Sequence, residues 1–462
     1  MMINVDNQIQ NKIIKLAEKI KCFSGRAVFV GGIVRDELLN RQSKDIDIEV
    51  FGLKSYALLK EIAQEFGTVN EVGKAFAVLK LKLNDSVEID LSFPRTESKI
   101  GPGHKGFNVV SDQQLSFYQA AKRRDFTINA ISKDILTKEL IDPFNGVADL
   151  KNKRLVHVSN QFSEDPLRVF RAAQFMARFN LDVSPKTKSI CKQMPIDELP
   201  KERVFEEMKK LVLKADKPSI GFEFLKDINA LSYLPPLKAL IGTPQDPTWH
   251  PEGDVWIHTM MVVDEMSKLK TTDEKKDIIF MLAALCHDLG KPLTTKKIDG
   301  RWKSHGHEEA GKVPAQEFLK CLTDDKSIIN QVIPLVCHHM KPSMLYESQK
   351  KTKVSDAAIR RLSTKVPIQD LVRLSTADYL GRKKIKSLAF NYPAGQWLLD
   401  RARKLEVHTK APACLLQGKD LIKLGVKPGK SLGKLLNNVY EKQLEGELKT
   451  KEDALKWVKL FV

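Results

Sequence analysis

Gly31-Gly32-Ile33-Val34-Arg35-Asp36, followed by Lys44-Asp45-Ile46-Asp47-Ile48, decides how the first third of this chain is read. Ala27–Val30 and Ile46–Phe51 are short apolar runs that predict buried strands, with a helix from the Gly-Gly turn through Leu39. Residues two apart on a strand face the same side, so Asp45 and Asp47 project together while Ile46 and Ile48 enter the core. Two carboxylates one strand step apart suit a hard divalent cation, and Mg²⁺ takes one or two such ligands beside substrate phosphates. Asp90, in Val87-Glu88-Ile89-Asp90-Leu91, is expected to bring a third carboxylate from a neighbouring strand. Three acids suit a two-metal centre in which one ion activates a hydroxyl and the other holds a triphosphate. A lone Asp-x-Asp is more often a solvent-facing strand edge. The glycines change that balance: Gly31 and Gly32 let the backbone approach a phosphate, and the next helix offers it N–H groups. Arg35, within the first turns of that helix, can add charge to the same anion. This is not a Walker loop, and Gly425-Val426-Lys427-Pro428-Gly429-Lys430-Ser431 is one residue too short to be one.

Outward from this stretch, residues 2–22 read as an amphipathic helix with Ile9, Ile13, Leu16, Ala17 and Ile20 on one side. Further strands are expected at Ala77–Leu83 and Val87–Phe93, with a helix at Tyr56–Phe66, giving a small mixed α/β unit. From Asp112 onward the pattern is almost wholly helical, most clearly at Gln113–Ala121, Phe126–Ser132, Pro166–Phe179, Arg203–Leu213 and Ile220–Ile228. Pro-rich stretches at Leu234–Leu237 and Gly242–Pro247 mark a break, helices resume near Trp256 and run to Tyr379, and Asn391–Gly395 marks another break. The expected fold class is therefore α+β, a mixed α/β head followed by all-helical segments. The expected segments are an N-terminal helix (1–25), the head (26–155), a helical neck (156–245), a His-rich helical domain (246–385) and a basic helical tail (386–462).

Glu164-Asp165-Pro166-Leu167-Arg168-Val169-Phe170-Arg171 is a second constellation. Read locally, Pro166 fits a first helical position, Asp165 an N-cap, and Arg168 a salt bridge to a neighbour. The same geometry has a chemical use. Residues three apart on a helix are neighbours, so Asp165 and Arg168 can address one planar edge together. A carboxylate accepts from the exocyclic amine of cytosine or adenine and repels the carbonyl that uracil or guanine places there, while a guanidinium donates to ring acceptors.

The third constellation is His258, Cys286-His287-Asp288-Leu289-Gly290-Lys291, His305-Gly306-His307, His338-His339 and Asp378. It holds six of the ten histidines, which favours a real site over a helical remnant. Imidazole with carboxylate suits Mn, Fe, Co, Ni or Zn, and a metal-bound water attacks phosphoesters. The contiguous His-Asp, with a His one hairpin earlier and an Asp far downstream, resembles the HD phosphohydrolases. That resemblance makes His258, His287, Asp288 and Asp378 the expected ligands of a divalent transition metal. His307 and one of His338 and His339 are expected to complete the shell, with His305 a surface neighbour.

The glycine and aspartate motifs, in order with Arg95-Thr96-Glu97, Gly103-His104-Lys105-Gly106-Phe107, Lys122–Ala130 and Asp142-Pro143-Phe144-Asn145-Gly146, resemble the class II tRNA nucleotidyltransferases and their relatives the bacterial poly(A) polymerases. The likeness is tight over residues 26–215 and looser beyond. It implies template-independent addition of CCA to the 3′ end of tRNA from CTP and ATP, with Mg²⁺ on Asp45, Asp47 and Asp90. It also implies that Asp165 and Arg168 choose the base, that Arg124, Asp125 and Asn129 hold ribose and phosphates, and that Arg171 adds charge nearby. Some close members carry an arginine three residues after the position of Arg171, where this chain has Gln174. A CC-adding or A-adding specialist therefore stays open, as do a poly(A) polymerase and an inactive RNA-binding scaffold. In such families the HD domain is linked to phosphatase, 2′-nucleotidase and 2′,3′-cyclic phosphodiesterase activity.

Composition agrees with these expectations without deciding among them. The chain has 462 residues, too many for one ordinary domain, and a net charge of +18. From Arg382 to Val462 there are 18 Lys+Arg against 8 Asp+Glu, an excess of 10 in the tail. Such a field attracts phosphate backbones, and Lys427, Lys430 and Lys434 around a Gly-capped turn are expected to meet RNA. Six scattered cysteines with no CxxC pair argue for reduced thiols and against a zinc knuckle. No apolar run approaches a membrane span, and the polar Met1–Lys12 lacks the apolar stretch of a secretory signal, so a cytoplasmic protein is expected. Nothing in the sequence calls for an obligate protein partner.

Overall fold

Asp6 opens the first helix, α1 (Asn7–Cys22), by accepting from the Ile9 N–H at 2.8 Å, and the five apolar residues of its predicted face are all buried. They pack in one cluster with residues of strand β1 (Arg26–Val30), helix α2 (Gly32–Leu38), strand β2 (Ile46–Phe51) and helix α3 (Tyr56–Gln64). The structure is a computed structural model describing residues 6–43, 45–72, 78–99, 107–382 and 392–461. Lys44, Ala77, the Gly103–Gly106 stretch and Asn391, all named in the sequence reading, lie outside the described residues. Two compact units are present: Met1–Met208 with Glu223–Ala230, and Lys209–Phe222 with Leu231–Val462.

The first unit is built on a seven-stranded mixed sheet. Strands β3 (Thr68–Val72), β4 (Val78–Lys82), β5 (Glu88–Ser92), β8 (Ser132–Asp134) and β9 (Leu140–Ile141) join β1 and β2 in the order β3-β4-β5-β2-β1-β8-β9. A separate hairpin, β6 (Arg95–Lys99) with β7 (Phe107–Ser111), lies in the chain between β5 and β8. Within the seven-stranded sheet β2 and β5 are the one parallel pair among the described residues, in a register that sets Ile46 against Ile89, Asp47 against Asp90 and Ile48 against Leu91. Ile46, Ile48, Val50, Ile89 and Leu91 share one buried cluster, so the acids between them face the other way. A slip of one residue would exchange Ile48 and Leu91 for aspartates, at about 2 kcal/mol of lost burial per side chain before the charge is counted.

Several helical expectations are corrected in this unit. Phe126–Ser132 is not a helix: Phe126 is extended and bridges His157, Thr127–Asn129 form one 3₁₀ turn, and β8 follows. The apolar run there reflects burial on all sides, since Phe126, Ile128, Ala130 and Ile131 are all buried. Gln113–Ala121 shortens to α4 (Phe117–Ala121), because Ser116 and Gln119 form a capping box. α5 (Gly146–Lys151) follows β9, and α6 spans Arg168–Phe179, beginning two residues later than expected. Asp165 and Pro166 instead form a tight turn, with Arg168 N–H donating to the Asp165 carbonyl at 3.0 Å and Val169 N–H to that of Pro166 at 3.1 Å.

Among its described residues the second unit has helices and one small hairpin, Lys296–Ile298 with Arg301–Lys303, that the helical reading of Trp256–Tyr379 did not foresee. Leu234–Leu237 is no open break, since Pro235–Lys238 is a short helix and Leu234, Leu237 and Leu240 are fully buried. In the tail, helices Gly418–Lys423 and Lys430–Glu445 flank a turn with Gly425 and Gly429 at positive φ, as the Gly-Pro-Gly spacing predicts. The tail has its own core of Leu416, Leu421, Val439, Leu448, Ala454 and Val458. No described helix is long and apolar enough to cross a membrane.

Candidate active sites

In the first unit a cavity of about 620 Å³ is lined by Gly31, Gly32, Arg35, Asp45 and Asp47 from the start of the sheet, by Arg124, Asp125 and Asn129, and by Asp165, Arg168 and Arg171. Arg95, Arg123, Arg203, Leu167 and Phe175 complete the wall. Seven arginines against four aspartates leave this wall strongly cationic, which suits a polyanion such as a triphosphate. Asp90 is not part of this lining. It stands beside Asp47 across the parallel ladder, 3.6 Å from the Lys80 ammonium. Burial pushes the Asp47 carboxyl up to about 6, and the charges of Asp90, Asp45 and Glu49 add to that rise against the pull of Arg124. A cluster of carboxylates that resist ionising together is what a divalent cation relieves.

Gly31 has φ +72°, and a Cβ placed there would lie 2.9 Å from Arg124 Nη1, so glycine is needed both for the turn and for the arginine. Glu49, one strand step beyond Asp47, is buried and accepts from Arg123 Nη2 at 2.9 Å and Arg124 Nη2 at 3.0 Å. It anchors two of the cavity's cations. The alternation that paired Asp45 with Asp47 also put Glu49 on that face, and this signal was legible but unused.

Arg35 is only 5 % exposed. Its Nε and Nη2 donate to Asp36 Oδ1 at 2.9 and 2.7 Å, and Nη1 donates to Asn129 Oδ1 at 2.6 Å. Asn129 Nδ2 donates in turn to Asp125 Oδ1 at 2.9 Å, and Asp125 Oδ2 accepts from Arg171 Nε at 2.7 Å. Burial would raise the Asp125 carboxyl, but Arg171 and Asn129 outweigh it and hold it at about 2. Arg35, Asn129, Asp125 and Arg171 thus form a continuous charged strut behind the cavity. Arg35, which the sequence places near a phosphate, lines the cavity as a tethered member of that strut.

Asp165 and Arg168 share the cavity but do not bond to each other. Asp165 Oδ2 accepts from Arg203 Nη2 at 2.9 Å, and its Oδ1 from the Leu167 N–H at 3.2 Å. Arg168 donates to the carbonyls of Gln161 at 2.9 Å and Arg123 at 2.7 Å, which set the plane of its guanidinium. Arg203 escaped the sequence reading because its tie to Asp165 spans 38 residues and no local pattern announces it. Gln174 is buried, outside the cavity lining, and accepts from Arg178 Nη1 at 3.0 Å.

The second unit brings His258, His287, Asp288, His307, His339 and Asp378 into one buried cluster. Asp288 is its hub. Oδ2 lies 3.2 Å from His287 Nε2 and 3.8 Å from His258 Nε2, while Oδ1 lies 3.3 Å from His307 Nε2 and 3.9 Å from His339 Nε2. Asp378 Oδ1 is 3.1 Å from His258 Nε2. All four imidazoles are fixed from behind through Nδ1, by Glu252 at 2.9 Å and by the carbonyls of Ala284, Ser304 and Val336 at 2.8, 2.8 and 2.7 Å. That arrangement turns every Nε2 inward, as metal ligands require. His287 Nε2 and Asp288 Oδ2 are buried 3.2 Å apart and outside hydrogen-bonding geometry, with the Lys291 ammonium 2.8 Å from Oδ2, and a cation bound between them would take both as ligands. Two ligand triads, His258/His287/Asp288 and Asp288/His307/His339, share the one carboxylate. Burial and the neighbouring His307 and His287 push His339 down to about 3, leaving it a neutral imidazole.

His339 stands in a ligand triad and His338 does not, while His305 only lines the adjoining cavity, so His339 is the member of the pair that joins. Glu252 was missed, lying in a loop before the helix that carries its partner. Gly290 lets two backbones meet, since a Cβ there would lie 2.0 Å from the His307 carbonyl oxygen.

Three family descriptions match the chain: the Poly A polymerase head domain over residues 27–156, the probable RNA and SrmB-binding site of polymerase A over 180–240, and the HD domain over 255–382. A multifunctional CCA protein of Psychromonas ingrahamii is 38% identical over 323 residues, 67% of this chain and 73% of the relative. Another, of Xylella fastidiosa strain M12, is 36% identical over 385 residues, 81% of this chain and 88% of the relative. Among solved structures, the CCA-adding enzyme of Bacillus stearothermophilus in complex with CTP aligns over 99% of this chain and 98% of its own, with a TM-score of 0.65 and 20% identity. The Thermotoga maritima CCA-adding enzyme complexed with tRNA aligns over 99% and 96%, with a TM-score of 0.58 and 20% identity. These two likenesses carry the fold, and the identity to the curated relatives carries the kinship. With its head and its HD cluster in place, the chain belongs to the family of multifunctional CCA proteins.

Proposed function

We propose that this chain adds cytidine, cytidine and adenosine to the 3′ end of tRNA from CTP and ATP, with no nucleic-acid template. The carrying observation is the parallel register of β2 and β5, which sets Asp90 beside Asp47 at the edge of an arginine-lined cavity. Asp45, Asp47 and Asp90 would hold Mg²⁺ there, and His258, His287, Asp288, His307, His339 and Asp378 would hold divalent transition-metal ions in the HD domain. When bound, the first ions neutralise a triphosphate and sharpen a hydroxyl, and the second activate water against a phosphoester.

The chain's own residues do the rest. In addition, the RNA 3′-oxygen bonds to the α-phosphorus and pyrophosphate leaves. Arg124 and Arg171, steadied by Glu49 and Asp125, offset the phosphate charge. Asp165 accepts from cytosine N4 or adenine N6, and Arg168 donates to the ring, so uracil and guanine meet a repelling carboxylate. Arg203 keeps the Asp165 carboxylate in position. The basic tail, with Lys427, Lys430 and Lys434, takes the RNA backbone.

The bridging Asp288 favours a second reading for the same chain, a two-metal phosphohydrolase in the HD domain. The test of the main activity is direct. tRNA transcripts ending at the discriminator base are incubated with CTP and ATP, separately and together, and their 3′ ends sequenced. CC with CTP alone and CCA with both supports the proposal. Runs of A indicate a poly(A) polymerase, and unchanged ends an inactive scaffold.

A further inference from the structure

Two of the five tryptophans lie exposed at the HD cavity. Trp256 is 1 % exposed, in the core, whereas Trp249 is 63 % and Trp302 36 % exposed. Both line the cavity of about 440 Å³ that also holds Asp288, His307, His339 and Asp378. The segments that carry them are joined. Asp246 caps the turn that carries Trp249, accepting from the Thr248 N–H at 2.8 Å, and also accepts from Arg301 Nε at 2.7 Å. Arg301 precedes Trp302 in the hairpin Arg301–Lys303, so one ion pair joins the two segments that carry the tryptophans. The Lys297 ammonium lies 6.0 Å from the Trp302 ring centroid, and Lys303 lines the same mouth.

Exposed indoles lose the stabilisation of burial, and two of them fixed beside a metal-ligand cluster, among cations, match the parts of a nucleotide. We propose that Trp249 and Trp302 stack the base of a nucleoside phosphate whose phosphoester faces Asp288, making the HD site selective for nucleotides over other phosphate esters. This rests on the phosphohydrolase reading of that site. Aromatic stacking accepts any base, so the expected selectivity is for a base and not for a particular one.

The test uses the full chain loaded with Mn²⁺ and two probes. One is the non-hydrolysable 2′-methylenephosphonate analogue of adenosine, and the other the same sugar phosphonate with a methoxy group in place of the base. Calorimetry should show the adenosine analogue binding more tightly, with Trp249→Ala or Trp302→Ala weakening it about 5- to 150-fold. The methoxy analogue should bind wild type and variants alike, and Trp→Phe at either position should restore most of the affinity. Equal binding of the two probes, no binding of either, or full adenosine-analogue affinity in both alanine variants would overturn the inference. Hydrolysis of 2′-AMP by the wild type loaded in turn with Mn²⁺, Fe²⁺, Co²⁺, Ni²⁺ and Zn²⁺ is scored separately. Its absence removes the phosphohydrolase reading, while the binding arm still decides the stacking.

Discussion

The raised carboxyl of Asp47 makes a stability prediction opposite in sign to its importance for activity. In the folded chain its pKa rises from 3.8 to about 6. Those roughly 2 units, at about 1.4 kcal/mol each, are a penalty of about 3 kcal/mol on the ionised form, as an upper bound. Because the folded value lies above the unfolded one, the penalty is absent below 3.8, grows as pH rises toward 6, and is complete above that. Asp47→Asn removes the charge and keeps the shape. In chelator, near pH 8, the substitution should therefore stabilise the head by up to about 3 kcal/mol, and the gain should shrink as pH falls toward about 4. All five tryptophans lie from Trp249 onward, so their fluorescence does not report on the head. Hydrogen exchange of peptides covering Ile46–Phe51 and Glu88–Ser92 does. Slower exchange in Asp47→Asn at high pH, with Mg²⁺ now slowing only the wild type, is the expected pattern. Equal or faster exchange at every pH would refute the idea that these carboxylates are held together against their repulsion.

Other consequences can be checked alongside. Arg203→Ala removes the tie on Asp165, and kcat/KM for both CTP and ATP should fall about 10- to 100-fold, with some UTP accepted, as read by single-nucleotide extension. Glu252→Gln removes the carboxylate behind His258, so Mn²⁺ affinity of the HD site should drop about 10- to 100-fold while nucleotide addition is unchanged. In Gly290→Ala the new Cβ would sit 2.0 Å from the His307 carbonyl, so the second unit should lose about 1–3 kcal/mol and the HD site its metal, measured by urea unfolding with tryptophan fluorescence and by metal analysis.

The parts legible in sequence are those with a short period or an adjacent pair. Alternation in Asp45-Ile46-Asp47-Ile48 and in Glu88-Ile89-Asp90-Leu91 is a local signal, and the sheet follows it. His287 and Asp288 are neighbours in the chain, so the HD cluster announces itself. Strands β8 and β9 were hidden because they are short, and a run buried on all sides, such as Phe126–Ile131, has no period to read. Arg203, Glu252 and the strut through Arg35 depend on partners 94 or fewer residues away in sequence whose approach only the fold decides. The start of α6 moved because Asp165 and Pro166 form a turn, from which the Asp165 carboxylate both accepts from the Leu167 N–H and lines the cavity.

Extension of tRNA lacking its 3′ CCA by wild type and by the double variant Asp45→Ala/Asp47→Ala is the most direct trial, with phosphate release by the HD domain followed in the same samples. Addition by wild type, background addition by the variant and unchanged phosphate release are the predicted result. Full-length CCA made by the variant would contradict the account, because neither Asp45 nor Asp47 could then be holding the ions that the reaction requires.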